Sequence, residues 1–213
     1  MSLNYIDIKN NYFDKRDWEN PVEENLYDLL MGKKMQLNSG SYIYFVVLYN
    51  KDYSFQFNQD LYELFFNRRV IKKGNSKGKL FRKTNKLVSD YYNKFCTLRW
   101  NFYKKSSDIL YIGKSERKNN ARIDEYVKTG RKILDLQQRT INLNLPKAQN
   151  HLGGSAIWQI GDINQQDIDC YKNFKIIAIE SKNSHISMLE MEHDLLDIFE
   201  ITLGCLPVAN RKK

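Results

Sequence analysis

The chain has 213 residues, 42% of them hydrophobic and 28% charged, which suits one compact domain with an elaboration and argues against a wholly disordered chain. Lys and Arg number 34 against 25 Asp and Glu, a net charge of +9, and such a balance points to a polyanionic partner. Three dispersed cysteines (Cys96, Cys170, Cys205), three histidines without metal-finger spacing, no bilayer-length apolar run and no secretory leader in MSLNYIDIKN argue against a disulfide scaffold, a zinc finger and a membrane partner, so a cytoplasmic protein is expected.

Residues 1–17 show no clear period. Asn20-Pro21-Val22-Glu23-Glu24 has the form of a helix start, with a capping Asn, Pro at the first helical position and acids in the first turn. A helix is predicted from there through Leu30 toward Lys34, making residues 1–40 an N-terminal helical extension. Ser41 to Tyr49, SYIYFVVLY, is apolar on both faces, as in a buried strand.

Residues 51–107 hold 14 basic and 4 acidic residues, whereas the rest of the chain nets −1. Arg68, Arg69, Lys72, Lys73, Lys77 and Lys79 crowd together as candidates for phosphate contact. Leu87, Tyr91, Phe95 and Leu98 fall at helical spacing, which makes those rings a buried stripe rather than base-stacking platforms. Gly74-Asn75-Ser76-Lys77-Gly78-Lys79 reads as an exposed basic turn between two helices. The segment is therefore expected to be an inserted, basic, mainly helical subdomain that binds DNA.

Asp108 to Gly113, DILYIG, reads as a second strand ending on glycine, and Asn119 or Asn120 as the cap of a helix running to about Leu136. Ser155–Ile160 and Phe174–Glu180 read as two further strands. Ile186 to Leu203 is a strongly amphipathic helix stopped by Gly204 and then Pro207. This order predicts an α+β fold with a small, mainly antiparallel sheet flanked by helices.

One residue breaks the pattern of the last helix. Its apolar stripe is Met188, Leu195, Leu196, Phe199 and Leu203, and helical spacing puts Glu192 inside it. A carboxylate there is costly unless it is paired or holds a cation. It is a structural ion pair, a carboxylate at the stripe's edge, or a functional group. A second cluster, Leu110-Tyr111-Ile112-Gly113-Lys114-Ser115 followed by Arg122, places a tyrosine on a strand, a glycine at its end and an arginine on the next helix.

Taken together, these elements resemble the GIY-YIG nuclease family. Tyr42-Ile43-Tyr44 resembles the family's first signature strand and Tyr111-Ile112-Gly113 matches the second. Arg122 stands at the arginine's place, Glu192-His193-Asp194-Leu195-Leu196 resembles the glutamate segment, and Pro207-Val208-Ala209-Asn210 supplies the asparagine. Gly153-Gly154-Ser155-Ala156-Ile157-Trp158-Gln159 resembles a segment of some uncharacterised members. Tyr42 replaces the family's first glycine, so Tyr42 or Tyr44 stands for the first signature tyrosine, with Tyr44 fitting the spacing. Tyr126 occupies the place of a histidine found in many relatives.

The resemblance implies a nuclease core of residues 41–50 plus 108–213, with residues 51–107 inserted between the signature strands. It implies a divalent-metal-dependent DNA endonuclease of restriction, defence, mobile-element or repair type. The alternatives are a non-catalytic nucleic-acid-binding protein or a ribonuclease on the same fold. In the roles the resemblance implies, Glu192 holds Mg²⁺ or Mn²⁺ and Arg122 binds phosphoryl oxygens. Tyr44 is the general base or positions the water, and Tyr111 orients the phosphate. Asn210 holds the scissile strand or a neighbouring tyrosine. Lys114 adds positive potential and contacts DNA. A double-strand cut by one such site requires a homodimer or two successive events.

Overall fold

The structure is a computed structural model that describes residues 2–38, 40–50, 106–116, 122–128, 168–204, 206, 207 and 210. Four strands, β1 (Val22–Asn25), β2 (Tyr42–Leu48), β3 (Ile109–Ser115) and β4 (Phe174–Glu180), form one sheet in the order β1-β4-β2-β3. Every neighbouring pair is antiparallel. The helices are α1 (Tyr5–Tyr12), α2 (Leu26–Leu30), α3 (residues 122–128) and α4 (Met188–Leu203), with a 3-10 turn at Ile168–Asn173. The fold is α+β.

Alternation along the strands builds two apolar layers. Tyr42, Tyr44 and Val46 of β2 face one layer with Ile176 and Ala178 of β4, closed by Leu26, Leu29 and Leu30 of α2 and by Ile123, Tyr126 and Val127 of α3. Ile43, Phe45 and Val47 face the other, closed by Tyr5 and Ile8 of α1 and by Leu195, Leu196 and Phe199 of α4. β2 is covered on both faces, which is why its sequence is apolar without alternation. The pairing of β2 with β3 slips between Val46 and Val47, where β3 carries one extra residue. That bulge lets Ile109 and Ile112 serve the second layer while Leu110 and Tyr111 both join Tyr44 in the first.

Several elements depart from the sequence expectation. Residues 5–12 form a helix despite their weak apolar period. The Asn4 amide donates to the Asp7 carboxylate at 2.9 Å, and the Tyr5 amide donates to Asp108 Oδ1 at 2.8 Å. Residues 22–25 are a strand rather than a helix start, and they pair with β4. Residues 22–25 of the expected N-terminal helical extension are thus an edge strand of the sheet. A strand at the sheet's edge needs little burial, and Glu23 and Glu24 keep ion pairs to Lys175 and Lys33. The cap shifts to Asn25, whose side chain accepts from the Tyr27 amide at 2.9 Å to start α2. β3 continues two residues beyond Gly113. β4 matches its expected bounds, and α4 ends at Gly204 with φ 68°, the left-handed cap.

The predicted strand at 155–160, the far end of the helix after Arg122, and the insert through residue 105, with Arg68, Arg69, Lys72, Lys73, Lys77 and Lys79, lie outside the described residues. The insert's roots are described. The Leu48 amide donates to Asp108 O at 2.8 Å, so the chain leaves and re-enters the core side by side. They stand at the end of the β2–β3 hairpin away from Ser115, about 20 Å along the strands.

Candidate active site

Tyr44 of β2 pairs in register with Gly113 on one side and Ala178 on the other. These small neighbours leave room for its phenol. A Cβ on Gly113 would lie 2.6 Å from Tyr44 Cζ and 2.6 Å from Tyr111 Cε1. The glycine is thus required for space rather than for a turn, because two tyrosine rings close over it. Their centroids are 5.8 Å apart, and the two phenols are hydrogen-bonded to each other. Tyr126 of α3 stacks beyond Tyr111 at 6.3 Å. Tyr42 pairs with Ser115 instead, so Tyr44 is the first-strand tyrosine that meets Tyr111.

A cleft of about 340 Å³ opens beside β3, lined by Tyr111, Lys114, Ser115, Glu116, Arg122 and Glu192. Three elements supply it: β3 with its exit, the nearby α3, and α4 some seventy residues later. Glu192 is half-buried at the margin of the α4 stripe. Burial pushes its carboxyl above the usual carboxylate range, and Glu116 adds to this against the opposing pull of Lys114, His193 and Arg122. Arg122 Nη1 lies 3.2 Å from Glu125 Oε2, and Lys114 Nζ lies 3.0 Å from Glu116 Oε1.

Tyr44 does not reach the cleft; it is fully buried, with Tyr111 in front of it. Burial, followed by the proximity of Tyr111, drives its phenol well above the ordinary tyrosine value, and the Arg122 charge does not offset this. Burial and then the Glu192 charge push Tyr111 up to about 12, against the hydrogen bond with Tyr44 and the Arg122 charge. Both phenols are therefore neutral in the fold and ionise near pH 10 when unfolded. Their raised values contribute stability below about pH 10 that is lost as pH rises through 10 toward 12. The melting temperature is expected to fall steeply over that range, and less steeply in Tyr111→Phe; equal slopes for the two proteins would contradict this burial reading.

Asn210 is brought to β3 but not to the cleft wall. Its Oδ1 accepts from the Ile112 amide at 2.9 Å, and its Nδ2 donates to the Ile112 carbonyl at 2.8 Å. Phe45 faces Ile112 across the β2–β3 pair, and Ile112 turns its own amide and carbonyl to the Asn210 side chain, which takes the place of a further strand. Both of these bonds go to the Ile112 backbone, 98 residues away along the chain. The residue between Tyr111 and Gly113 is thereby pinned. Asn210→Ala is expected to cost about 2 kcal/mol, because a buried donor and acceptor are left unpaired; urea unfolding measures it, and an unchanged midpoint would contradict the clamp.

Glu116 is the cleft residue that sequence reasoning missed. It follows the strand in an unpatterned stretch, and only its offset of two from Lys114 hinted at a charge pair. Among the described residues no three or more His, Cys, Asp or Glu side chains group into a metal cage. Two carboxylates, Glu192 and Glu116, line the cleft. One or two carboxylates completed by water and phosphate oxygens are how Mg²⁺ is ordinarily held, so this oxygen set fits a hard divalent cation and not zinc.

The chain matches no family model, no curated protein and no solved structure. Among the described residues no helix is long and apolar enough to cross a membrane.

Proposed function

We propose that this chain is a divalent-metal-dependent endonuclease acting on DNA in the cytoplasm, with a GIY-YIG-like core carrying a basic insertion at residues 51–107. One observation carries the reading: Tyr111 and Arg122 from one sequence cluster and Glu192 from another line one cleft. Phosphodiester hydrolysis needs cations on the phosphoryl oxygens and an oriented water. Arg122 is the guanidinium that offsets charge on those oxygens, with Lys114 beside it. Tyr111 is the phenol that meets substrate, and being neutral it orients the phosphate or water as a hydrogen-bond donor. Tyr44 positions Tyr111 from behind and is not the base, since its oxygen is buried and its phenol holds its proton. Glu192, with Glu116, would hold Mg²⁺ or Mn²⁺, which supplies Lewis-acid charge at the phosphate and leaving oxygen. Asn210 fixes the strand that carries Tyr111.

The insert supplies the wider electrostatic footprint. Replacing Lys72, Lys73, Lys77 and Lys79 with Gln is expected to lower the salt slope of DNA binding by about 1 for each lysine that contacts a phosphate. An unchanged slope would place that cluster off the DNA.

The substrate class is tested with labelled DNA duplexes and RNA of matching sequence, incubated with the full chain in Mg²⁺. Cleavage of DNA is the expected result. Cleavage of RNA alone would make the chain a ribonuclease, and binding without cleavage of either would make it a nucleic-acid-binding module.

A further inference from the structure

The chain carries +9. Among the described residues, the charged side chains lining the cleft are two cations, Lys114 and Arg122, and two anions, Glu116 and Glu192. Both cations are engaged: Lys114 by Glu116 at 3.0 Å and Arg122 by Glu125 at 3.2 Å. The Glu116 side chain is 50% exposed while Lys114 is 25% exposed. Glu116 therefore stands at the rim, where it meets an incoming ligand before the amine does. A phosphodiester arriving here meets two carboxylates and two cations that are already paired.

We propose that Glu116 is a counter-charge that occupies Lys114 and makes entry of a phosphodiester into this cleft depend on a divalent cation. The inference rests on the nuclease reading above. With Glu116 ionised and no added cation, Lys114 is neutralised and two carboxylates oppose the phosphate. When a divalent cation offsets the carboxylates, Glu116 loses its hold on Lys114, and the amine is released to the phosphate. Cation and DNA then each raise the other's affinity, because the coupling is reciprocal. Glu116 is a positioning residue in this scheme: it acts through Lys114 and through the potential of the cleft.

The test is DNA affinity rather than cleavage. Fluorescence anisotropy of a labelled duplex is measured with the full chain in EDTA and in Ca²⁺, which takes the same oxygen ligands as Mg²⁺. Wild type is expected to bind more tightly in Ca²⁺ than in EDTA. Glu116→Gln should bind about fivefold more tightly than wild type in EDTA, the upper range for a partly exposed ion pair, and should gain less from Ca²⁺. Lys114→Gln leaves Glu116 without its counter-charge and should bind more weakly than wild type in both buffers, with the larger loss in Ca²⁺. Loss of the pair costs at most about 1 kcal/mol, so both variants should stay folded, with melting temperatures within about 4 °C of wild type. Wild-type affinity for Glu116→Gln in EDTA with an undiminished Ca²⁺ gain would overturn the inference alone. Absence of DNA binding by wild type in both buffers would overturn the nuclease reading with it.

Discussion

Glu192→Gln is expected to lower metal-dependent DNA cleavage by at least about a hundredfold while leaving DNA binding in place and the melting temperature unchanged or raised. The substitution keeps the size and hydrogen-bonding reach of the side chain and removes only its charge. That charge is held at a cost: burial pushes the carboxyl up, and Lys114, His193 and Arg122 offset burial only in part. A glutamine at the margin of the α4 stripe relieves the cost, so the fold does not suffer. Loss of activity without loss of stability is the signature of a group kept for chemistry. The opposite pair of results, a melting temperature lowered by several degrees with cleavage retained, would make Glu192 a structural ion-pair partner. The sign of the pH dependence follows from the same cause. Cation binding needs the ionised carboxylate, so cleavage should fall on acidification at a pH above the ordinary glutamate value of about 4.3.

Gly113→Ala is expected to cost about 3 kcal/mol, the upper end of the range for overpacking, and to lower cleavage with it. The added Cβ meets Tyr44 Cζ and Tyr111 Cε1 at 2.6 Å and the Tyr44 oxygen at 2.7 Å. Neither ring can swing clear. Tyr44 is fully buried between strands, and Tyr111 is wedged between Tyr44 and Tyr126. For a chain of this length, 3 kcal/mol corresponds to a fall of roughly 6–12 °C in melting temperature. Gly204→Ala separates space from backbone strain. It has φ 68° and nothing within 4 Å of an added Cβ, so its cost should be about 1 kcal/mol, purely conformational. Equal losses at the two glycines would show that the rings above Gly113 can yield.

The sequence revealed those parts of the fold whose signal is local and strong. β4 and β2 are apolar runs bounded by polar residues, and α4 carries a full stripe and a glycine stop; each lies within two residues of its expected bounds. The parts that escaped depend on partners far along the chain. β1 is a polar tetrapeptide that becomes a strand because β4, some 150 residues later, offers it an edge. The helix-start pattern at Asn20-Pro21 is a real local preference overridden by that pairing. α1 has no apolar period to mark it and is anchored by the Asn4–Asp7 cap and the Tyr5 amide's bond to Asp108.

The site divides in the same way. Glu192 stood out as a carboxylate in an apolar stripe, and Tyr111 and Arg122 through the motif that carried the resemblance. Which tyrosine faces the cleft was not legible, because two strands in register place Tyr44 behind Tyr111. Asn210 could be noticed, but its role as a clamp is set by two bonds to Ile112, 98 residues away. Gly113 suggested a strand end, whereas its use is to make room for rings from two strands.

The central claim is that this cleft hydrolyses phosphodiesters with the help of a divalent cation. Its most direct test is the conversion of supercoiled plasmid by the purified full chain in Mg²⁺, in Mn²⁺ and in EDTA. Nicked or linear product in either cation and none in EDTA is the predicted result. Salt-sensitive binding with the plasmid left supercoiled in all three buffers would contradict it.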